Sequence, residues 1–472
     1  MTGSFDLAAV RRRLDGAPDG AGLHPIGLKA VLVGDGTLEA LPDVIDELVG
    51  RPKRPGPVAM VCDLTPKRYR SGELMEFVTK SVASVARVRG MFLGVPGHNV
   101  HADEETLQRA MLECEGASCI VAVGSGTIAD IGKVVAAGHG LPYVIVQTAN
   151  SVNGFGDDRS VLLVNGVKRT LPSTWASVLI ADSDVLVDAP AAMNAAGLAD
   201  LIAMFTAPAD WYLSNLFGMD DSYSPTVVAL AREQGPALLE AARLVPKADR
   251  GALSQVATTL TLSGISMGVA GTTAPCSGME HAVSHLLEMA AVQAGDEAAL
   301  HGLQVGVSSI VAALLWQRVL GEIADGGLSR LSVPEAAESE RAVRAAFADV
   351  DPSGEMAAEC WRDYERKLAR WAQAGERVER ASEQWPAHER ALRRLLAGPE
   401  AIATALRAAG APVQFHELDP SVDQGSARWA VASCNLMRER FSVADLAFFL
   451  GIFDESCVDA LLDEASALGG AI

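Results

Sequence analysis

Between residues 27 and about 190 the chain alternates short apolar runs with stretches patterned at helical period. The runs Ala30 to Val33, Val58 to Cys62, Val88 to Val95, Cys119 to Val123 and Tyr143 to Gln147 read as strands. Leu38 to Val49, Glu73 to Ala86, Asp103 to Glu113 and Thr127 to Ala137 read as the helices between them. Strands that are apolar throughout, alternating with helices, predict a parallel sheet covered on both faces. Right-handed crossovers then give a doubly wound, Rossmann-like α/β domain.

Beyond about residue 190 the strand signals stop. Met193 to Leu216, Pro225 to Leu244, Gly251 to Met267, Gly278 to Ala294 and Glu297 to Leu320 all repeat at helical period. Residues 335 to 410 continue as helices rich in Glu and Arg, with Trp361, Trp371 and Trp385 read as packing residues on partly exposed faces, and Asn435 to Gly451 closes with a helix pair. The predicted organisation is a dinucleotide-type α/β domain over 1–190 followed by an all-α domain over 191–472, with the small-molecule site expected in the cleft between them.

A length of 472 residues suits two such domains, and a chain 49% hydrophobic and 21% charged is not disordered. A net charge of −20 argues against nucleic acid and against a polybasic membrane contact. It leaves room for an anionic small substrate in a locally positive pocket. Seven widely spaced cysteines with no Cys-x-x-Cys pair speak against a disulfide scaffold or a zinc ribbon. No leader and no uncharged apolar stretch of bilayer length is evident, so the expectation is a soluble cytoplasmic protein.

Four constellations carry possible chemistry. Gly124-Ser125-Gly126-Thr127 follows a strand and opens a helix that continues through Asp130 and Lys133. Glycines let a backbone approach a phosphate, and a helix N-terminus offers N–H donors. The plainer alternative is a tight turn with Thr127 as N-cap, and Gly34-Asp35-Gly36 reads as a turn of that kind. Asp63, ending the second strand, is placed to accept ribose hydroxyls and repel a 2′-phosphate, although taken alone it reads as a loop-capping aspartate. Thr148, Asn150, Ser151 and Asn153 form a polar loop after the fifth strand, where doubly wound sheets bind ligands. Of nine histidines, His281, His285 and His301 crowd into one short stretch. His281 and His285 share a helix face. Alone, each is an ordinary hydrogen-bonded histidine; together with a carboxylate such as Asp200, in an otherwise apolar helix, two of them would hold a metal with open positions. Lys168-Arg169 is either a solvated basic pair or a hold for an anionic substrate.

The order of these pieces resembles the sn-glycerol-1-phosphate dehydrogenase family, within the group of glycerol dehydrogenases, iron-containing alcohol dehydrogenases and dehydroquinate synthases. The matching motifs are Gly124–Lys133, Thr148–Gly154, Gly197–Asp200, Glu280–His285 and His301–Val307. Weaker likenesses are Val167–Pro172, Ala207–Ser214 and Met437–Leu446. The resemblance implies a dehydroquinate synthase-like fold, with Asp200, His281 and His301 as ligands of a divalent metal, Zn2+ or else Fe2+ or Ni2+. It implies NAD or NADP on Gly124, Ser125, Gly126, Thr127, Asp130, Lys133, Thr148 and Ser151, with Asp63 at the adenosine ribose favouring NAD. It puts His285 beside the substrate as proton carrier, Asn153 in the active site and Lys168 on a substrate phosphate or carboxylate. The implied reaction interconverts a polyol phosphate or sugar phosphate and its ketone, foremost glycerol 1-phosphate and dihydroxyacetone phosphate, in a possible homo-oligomer. The chain departs from the usual pattern with Asn150 for Pro and Asn153 for Asp, and Asn is no general base. Two other readings fit less well: an NAD- and metal-dependent cyclase with internal redox, of the dehydroquinate synthase type, and a non-catalytic cofactor-binding relative.

Overall fold

The computed structural model describes residues 5–50, 55–95, 99–164, 167–324 and 326–470. They form two compact units, one of residues 1–198 with 229–271 and the other of 199–228 with 272–472.

Among the described residues the first unit holds ten strands: β1 (Ala30–Gly34), β2 (Val58–Asp63), β3 (Arg68–Tyr69), β4 (Gly72–Glu73), β5 (Val88–Leu93), β6 (Cys119–Gly124), β7 (Tyr143–Gln147), β8 (Arg159–Val164), β9 (Val167–Pro172) and β10 (Val178–Asp182). Six make one all-parallel sheet in the order β1-β10-β7-β6-β2-β5. β6, β7 and β10 are buried along their whole length, which is why they read as unbroken apolar runs. The edge strand β5 leaves Arg89, Gly90 and Phe92 exposed. From β2 the chain moves outward to β5, then returns across β2 to β6 and runs the other way. That reversal makes the crevice above β2 and β6 the topological switch point, where such sheets bind their ligands.

The five foreseen strands are present. The sixth, β10, and the β8–β9 hairpin were not anticipated. A further difference concerns the domain boundary placed at 190. The helix Arg250–Ala270 belongs to the first unit. It lies so close to the loop after β7 that a Cβ on Gly264 would stand 2.7 Å from the Asn153 carbonyl oxygen, and one on Gly156 2.7 Å from that of Thr261. Bare backbone on both surfaces is what permits this approach.

The second unit is helical. Met279–Ala294 and His301–Ala324 run through its centre. The stretch from Met193 to Leu216, expected as one helix and divided between the units after residue 198, breaks into Ala191–Leu201, a 3-10 turn Ile202–Phe205 and Ala207–Leu216. Pro208 is the reason, because it lacks an N–H and is accommodated only in the first turn of a new helix. The charged region between 335 and 410 forms amphipathic helices including Ala336–Phe347, Glu355–Trp371 and Trp385–Leu395. Trp361 and Trp385 are buried, and Trp371 stacks on Phe441 with ring centroids 5.1 Å apart. Lys367 is buried against Asp445 at 2.7 Å, and its ammonium also donates to the Asn435 carbonyl. Ala191–Leu216 and His301–Ala324 are long and apolar enough to span a membrane, but 78% and 89% of their apolar windows are buried within the protein, as expected of core helices.

Candidate nucleotide and metal sites

The glycine turn stands at the carboxyl end of β6, on the switch point. Ser125 occupies the N-cap in extended conformation and makes no side-chain capping bond, so no capping side chain takes up the first N–H groups of the helix Gly126–His139, where a phosphate could bind. Ser125, not Thr127, is therefore the cap residue. A Cβ on Gly124 would fall 2.5 Å from the Ile128 Cβ, and one on Gly126 2.9 Å from Val152. The glycines keep the turn low enough for the polar loop after β7 to lie across the helix start.

That loop is held from below. The Thr148 N–H donates to the Gly124 carbonyl at 3.0 Å. The Asn150 side chain accepts from Gln147 Nε2 at 2.9 Å and donates to the Leu253 carbonyl at 3.0 Å. Its backbone N–H donates to Asn194 Oδ1 at 3.2 Å, a bond that a proline could not make, which gives the departure at this position a structural reason. Gly197 donates to the Asn150 carbonyl at 3.0 Å, and a Cβ there would sit 2.3 Å from the same oxygen. Asn153 is buried in the loop.

Lys133 corrects the expectation of a cofactor contact. Its side chain is wholly buried, and its ammonium donates to the Asp157 carboxylate and to the carbonyls of Gly154 and Arg159. Three acceptors take all three N–H donors, so none remains for a pyrophosphate. Lys133 instead ties the loop's far end to the phosphate helix. Asp130 stands one turn into that helix, where its backbone carbonyl accepts from Ser160 Oγ at 3.3 Å. The Lys168 side chain lies outside the described residues.

Two buried oxygens above the sheet, Ser151 Oγ and Gln147 Oε1, have no hydrogen-bond partner among the described residues. Buried polar atoms are rarely left so. With the bare helix N-terminus beside Ser151, they fit a polar ligand with phosphate at one end, as a dinucleotide has.

In the second unit Asp200, His281 and His301 bring one carboxylate oxygen and two ring nitrogens within 4.8 Å of one another. Asp200 is 1% exposed. His281 Nε2 stands 3.3 Å from Asp200 Oδ1, while its Nδ1 meets Glu280 Oε1 at 3.0 Å. Glu280 is itself fixed, accepting from the Gly278 N–H at 2.6 Å and the Thr206 hydroxyl at 3.0 Å. His301 Nδ1 meets Ser284 Oγ at 3.0 Å and Glu288 Oε1 at 3.4 Å. Each imidazole thus meets a carboxylate or hydroxyl at Nδ1, the kind of neighbour that orients metal-binding histidines.

The electrostatics agree. Burial pushes the His281 pKa down, but Asp200 and Glu280 outweigh it and raise it above the usual histidine range. A site that draws a proton between a carboxylate and an imidazole is built for positive charge, and a divalent cation satisfies the same donors. The donor set therefore fits a metal with two histidines and a carboxylate, leaving open positions.

His285 sits one turn beyond His281, its ring stacked on His301 at 5.1 Å and its Nδ1 3.1 Å from Glu288 Oε2. Glu288 was not singled out from the sequence, although its place three residues after His285 and seven after His281 put it on that helix face. It could form a second trio with His285 and His301. Because each of its oxygens already faces an imidazole Nδ1, we read it as the group that orients both rings. Replacing Glu280 by glutamine should loosen metal binding about 10- to 100-fold, read as metal affinity by competition with a chromophoric chelator, with the overall fold intact.

A parallel sheet with a phosphate-type turn at its switch point, and a helical unit with a carboxylate–histidine set that could hold a metal, are the parts expected of a nucleotide- and metal-dependent alcohol dehydrogenase. The comparisons agree. Residues 33–190 match the family model for iron-containing alcohol dehydrogenase. A probable glycerol dehydrogenase from Sinorhizobium meliloti has the same fold, with a TM-score of 0.58 at 16% identity over 94% of this chain and 99% of that one. Glycerol-1-phosphate dehydrogenase [NAD(P)+] of Bacillus licheniformis is 27% identical over 442 residues, 92% of each chain. The Methanosarcina mazei enzyme of the same name is 30% identical over 311 residues, 65% of this chain and 82% of its own. The chain belongs to the glycerol-1-phosphate dehydrogenase family and is an oxidoreductase.

Proposed function

We propose that this chain interconverts sn-glycerol 1-phosphate and dihydroxyacetone phosphate, with NAD(P) as hydride partner and a divalent cation held by Asp200, His281 and His301. The observation that carries the reading is the convergence of those three side chains with both imidazoles oriented through Nδ1. The names of the relatives support the substrate.

Bound there, the cation supplies Lewis acidity to the substrate's reacting oxygen, and the nicotinamide supplies or accepts the hydride. The Gly124–Thr127 turn binds the pyrophosphate through backbone N–H groups. Thr148 and Ser151 orient the nicotinamide end, Ser151 with a hydroxyl that has no hydrogen-bond partner among the described residues. Asn153 orients by hydrogen bonding and takes no proton. His285, its Nδ1 on Glu288, exchanges a proton with the substrate hydroxyl through Nε2. The reading also supports a soluble enzyme of the cytoplasm.

The test is loss of reduced-nicotinamide absorbance on mixing the zinc-loaded protein with dihydroxyacetone phosphate and NADH or NADPH. We expect oxidation that a chelator abolishes and added metal restores. No turnover by protein that holds both metal and nucleotide would sink the substrate assignment.

A further inference from the structure

We propose that Lys67 sets the nucleotide specificity of this chain by neutralising Asp63, so that a ribose 2′-phosphate is accepted beside a free 2′-hydroxyl. The inference rests on the nucleotide reading above and names the residue that decides between its two cofactors.

Asp63 is the last residue of β2, one step beyond the Cys62–Val123 pair that aligns β2 with β6. It therefore stands beside Gly124, across the crevice of the switch point. A lone carboxylate at this place selects NAD, because it accepts ribose hydroxyls and repels a phosphate on the 2′ position. Its charge by itself predicts that preference here.

The structure changes the balance. The chain turns back after β2 through Leu64-Thr65-Pro66, with the Thr65 N–H donating to Asp63 Oδ1 at 2.7 Å. This turn lays the Lys67 ammonium on the same oxygen at 2.5 Å. Side-chain exposure is 13% for Lys67 and 16% for Asp63, so solvent screens the pair only in part. Together they carry no net charge.

Among the described residues each partner keeps a bonding position that a ribose or its phosphate could use. Asp63 Oδ2 has no ion-pair partner among the described residues and can accept a hydroxyl. The Lys67 ammonium gives two of its three donors to Asp63 and to the Thr65 carbonyl, the latter at 3.0 Å. The third can meet a phosphate oxygen. Arg68 follows at once on the short strand β3 and is exposed. Arg70 is not available in this way, being paired with Asp184 at 2.9 Å and Glu39 at 2.8 Å. In a chain of net charge −20, this local cation is what keeps a 2′-phosphate from being repelled.

Equilibrium binding tests this without relying on turnover. NAD+ and NADP+ are titrated into the full-length protein by calorimetry, at low and at high salt. The wild-type chain should bind both, with NADP+ affinity falling more steeply as salt is raised. Lys67→Gln should weaken NADP+ about 10- to 100-fold, the equivalent of one charge-assisted hydrogen bond, and change NAD+ by less than about threefold. Lys67→Arg should keep NADP+ binding, and Asp63→Asn should weaken NAD+ while sparing NADP+. Equal losses for both nucleotides in Lys67→Gln, or no loss for either, would overturn the role of Lys67 and leave the nucleotide site standing. Failure of the wild-type chain to bind either nucleotide would overturn the nucleotide reading and this inference with it.

Discussion

Replacing His281 by alanine will lower turnover on the order of a thousandfold or more, and the protein will no longer retain a divalent metal through gel filtration. A cation polarising the substrate oxygen contributes several kcal/mol to the transition state, and each ~1.4 kcal/mol is tenfold in rate. Of the three proposed ligands His281 is the one whose loss should cost most, because it is buried and held from both sides, by Asp200 at Nε2 and Glu280 at Nδ1. Removing it leaves two buried carboxylates with no cation between them. Metal analysis separates the causes. Full metal content with lost activity would make His281 a substrate or proton group, and unchanged activity would remove it from the site altogether. His285→Ala should behave differently, retaining metal while losing rate, because its place against Glu288 and the His301 ring is beside the proposed ligand set.

Lys133→Met will destabilise the first unit by about 3–5 kcal/mol, measured as a lower midpoint in urea unfolding, and will weaken NAD+ binding although Lys133 touches no nucleotide in our reading. The cost comes from stranding the Asp157 carboxylate, which is 3% exposed, and from unpairing the carbonyls of Gly154 and Arg159. Burial raises the Asp157 pKa even with Lys133 present, so without the ammonium the aspartate will take up a proton rather than stay charged. The double variant Lys133→Met with Asp157→Leu should recover much of the stability, since a buried pair replaced on both sides by apolar groups is often nearly neutral. Recovery of stability without recovery of nucleotide affinity would identify the pair as a device for shaping the loop over the helix N-terminus. A single variant as stable as the wild type would contradict the buried geometry.

Much of the candidate site was legible because its signals are local. Gly124-Ser125-Gly126-Thr127 can be recognised from a strand ending and a helix beginning. His281 and His285 share a face by their spacing alone, and their order relative to Gly197–Asp200 and His301–Val307 carried the family resemblance. The buried strands declared themselves through unbroken runs of Val, Ile and Ala. What misled was equally local: Met193 to Leu216 keeps an apolar helical pattern across Pro208, and periodicity does not register a missing N–H.

The sequence by itself determined the kinds of element, the presence of a phosphate-type turn and a candidate carboxylate–histidine metal set, and through their order the family. Those features depend on residues a few positions apart, whose relation the backbone period dictates. Only the tertiary structure decided which strands are neighbours, and hence that Asp63 and Gly124 face one crevice. It likewise decided that the Lys133 ammonium is taken up by Asp157 and the loop carbonyls, that Glu288 meets two histidines, and that Arg250–Ala270 packs with the sheet. It also folded Lys67 back onto Asp63. Each of these rests on burial or pairing, and the free energy of a buried charge or a close backbone contact depends on what the folded chain brings beside it, which no local pattern records.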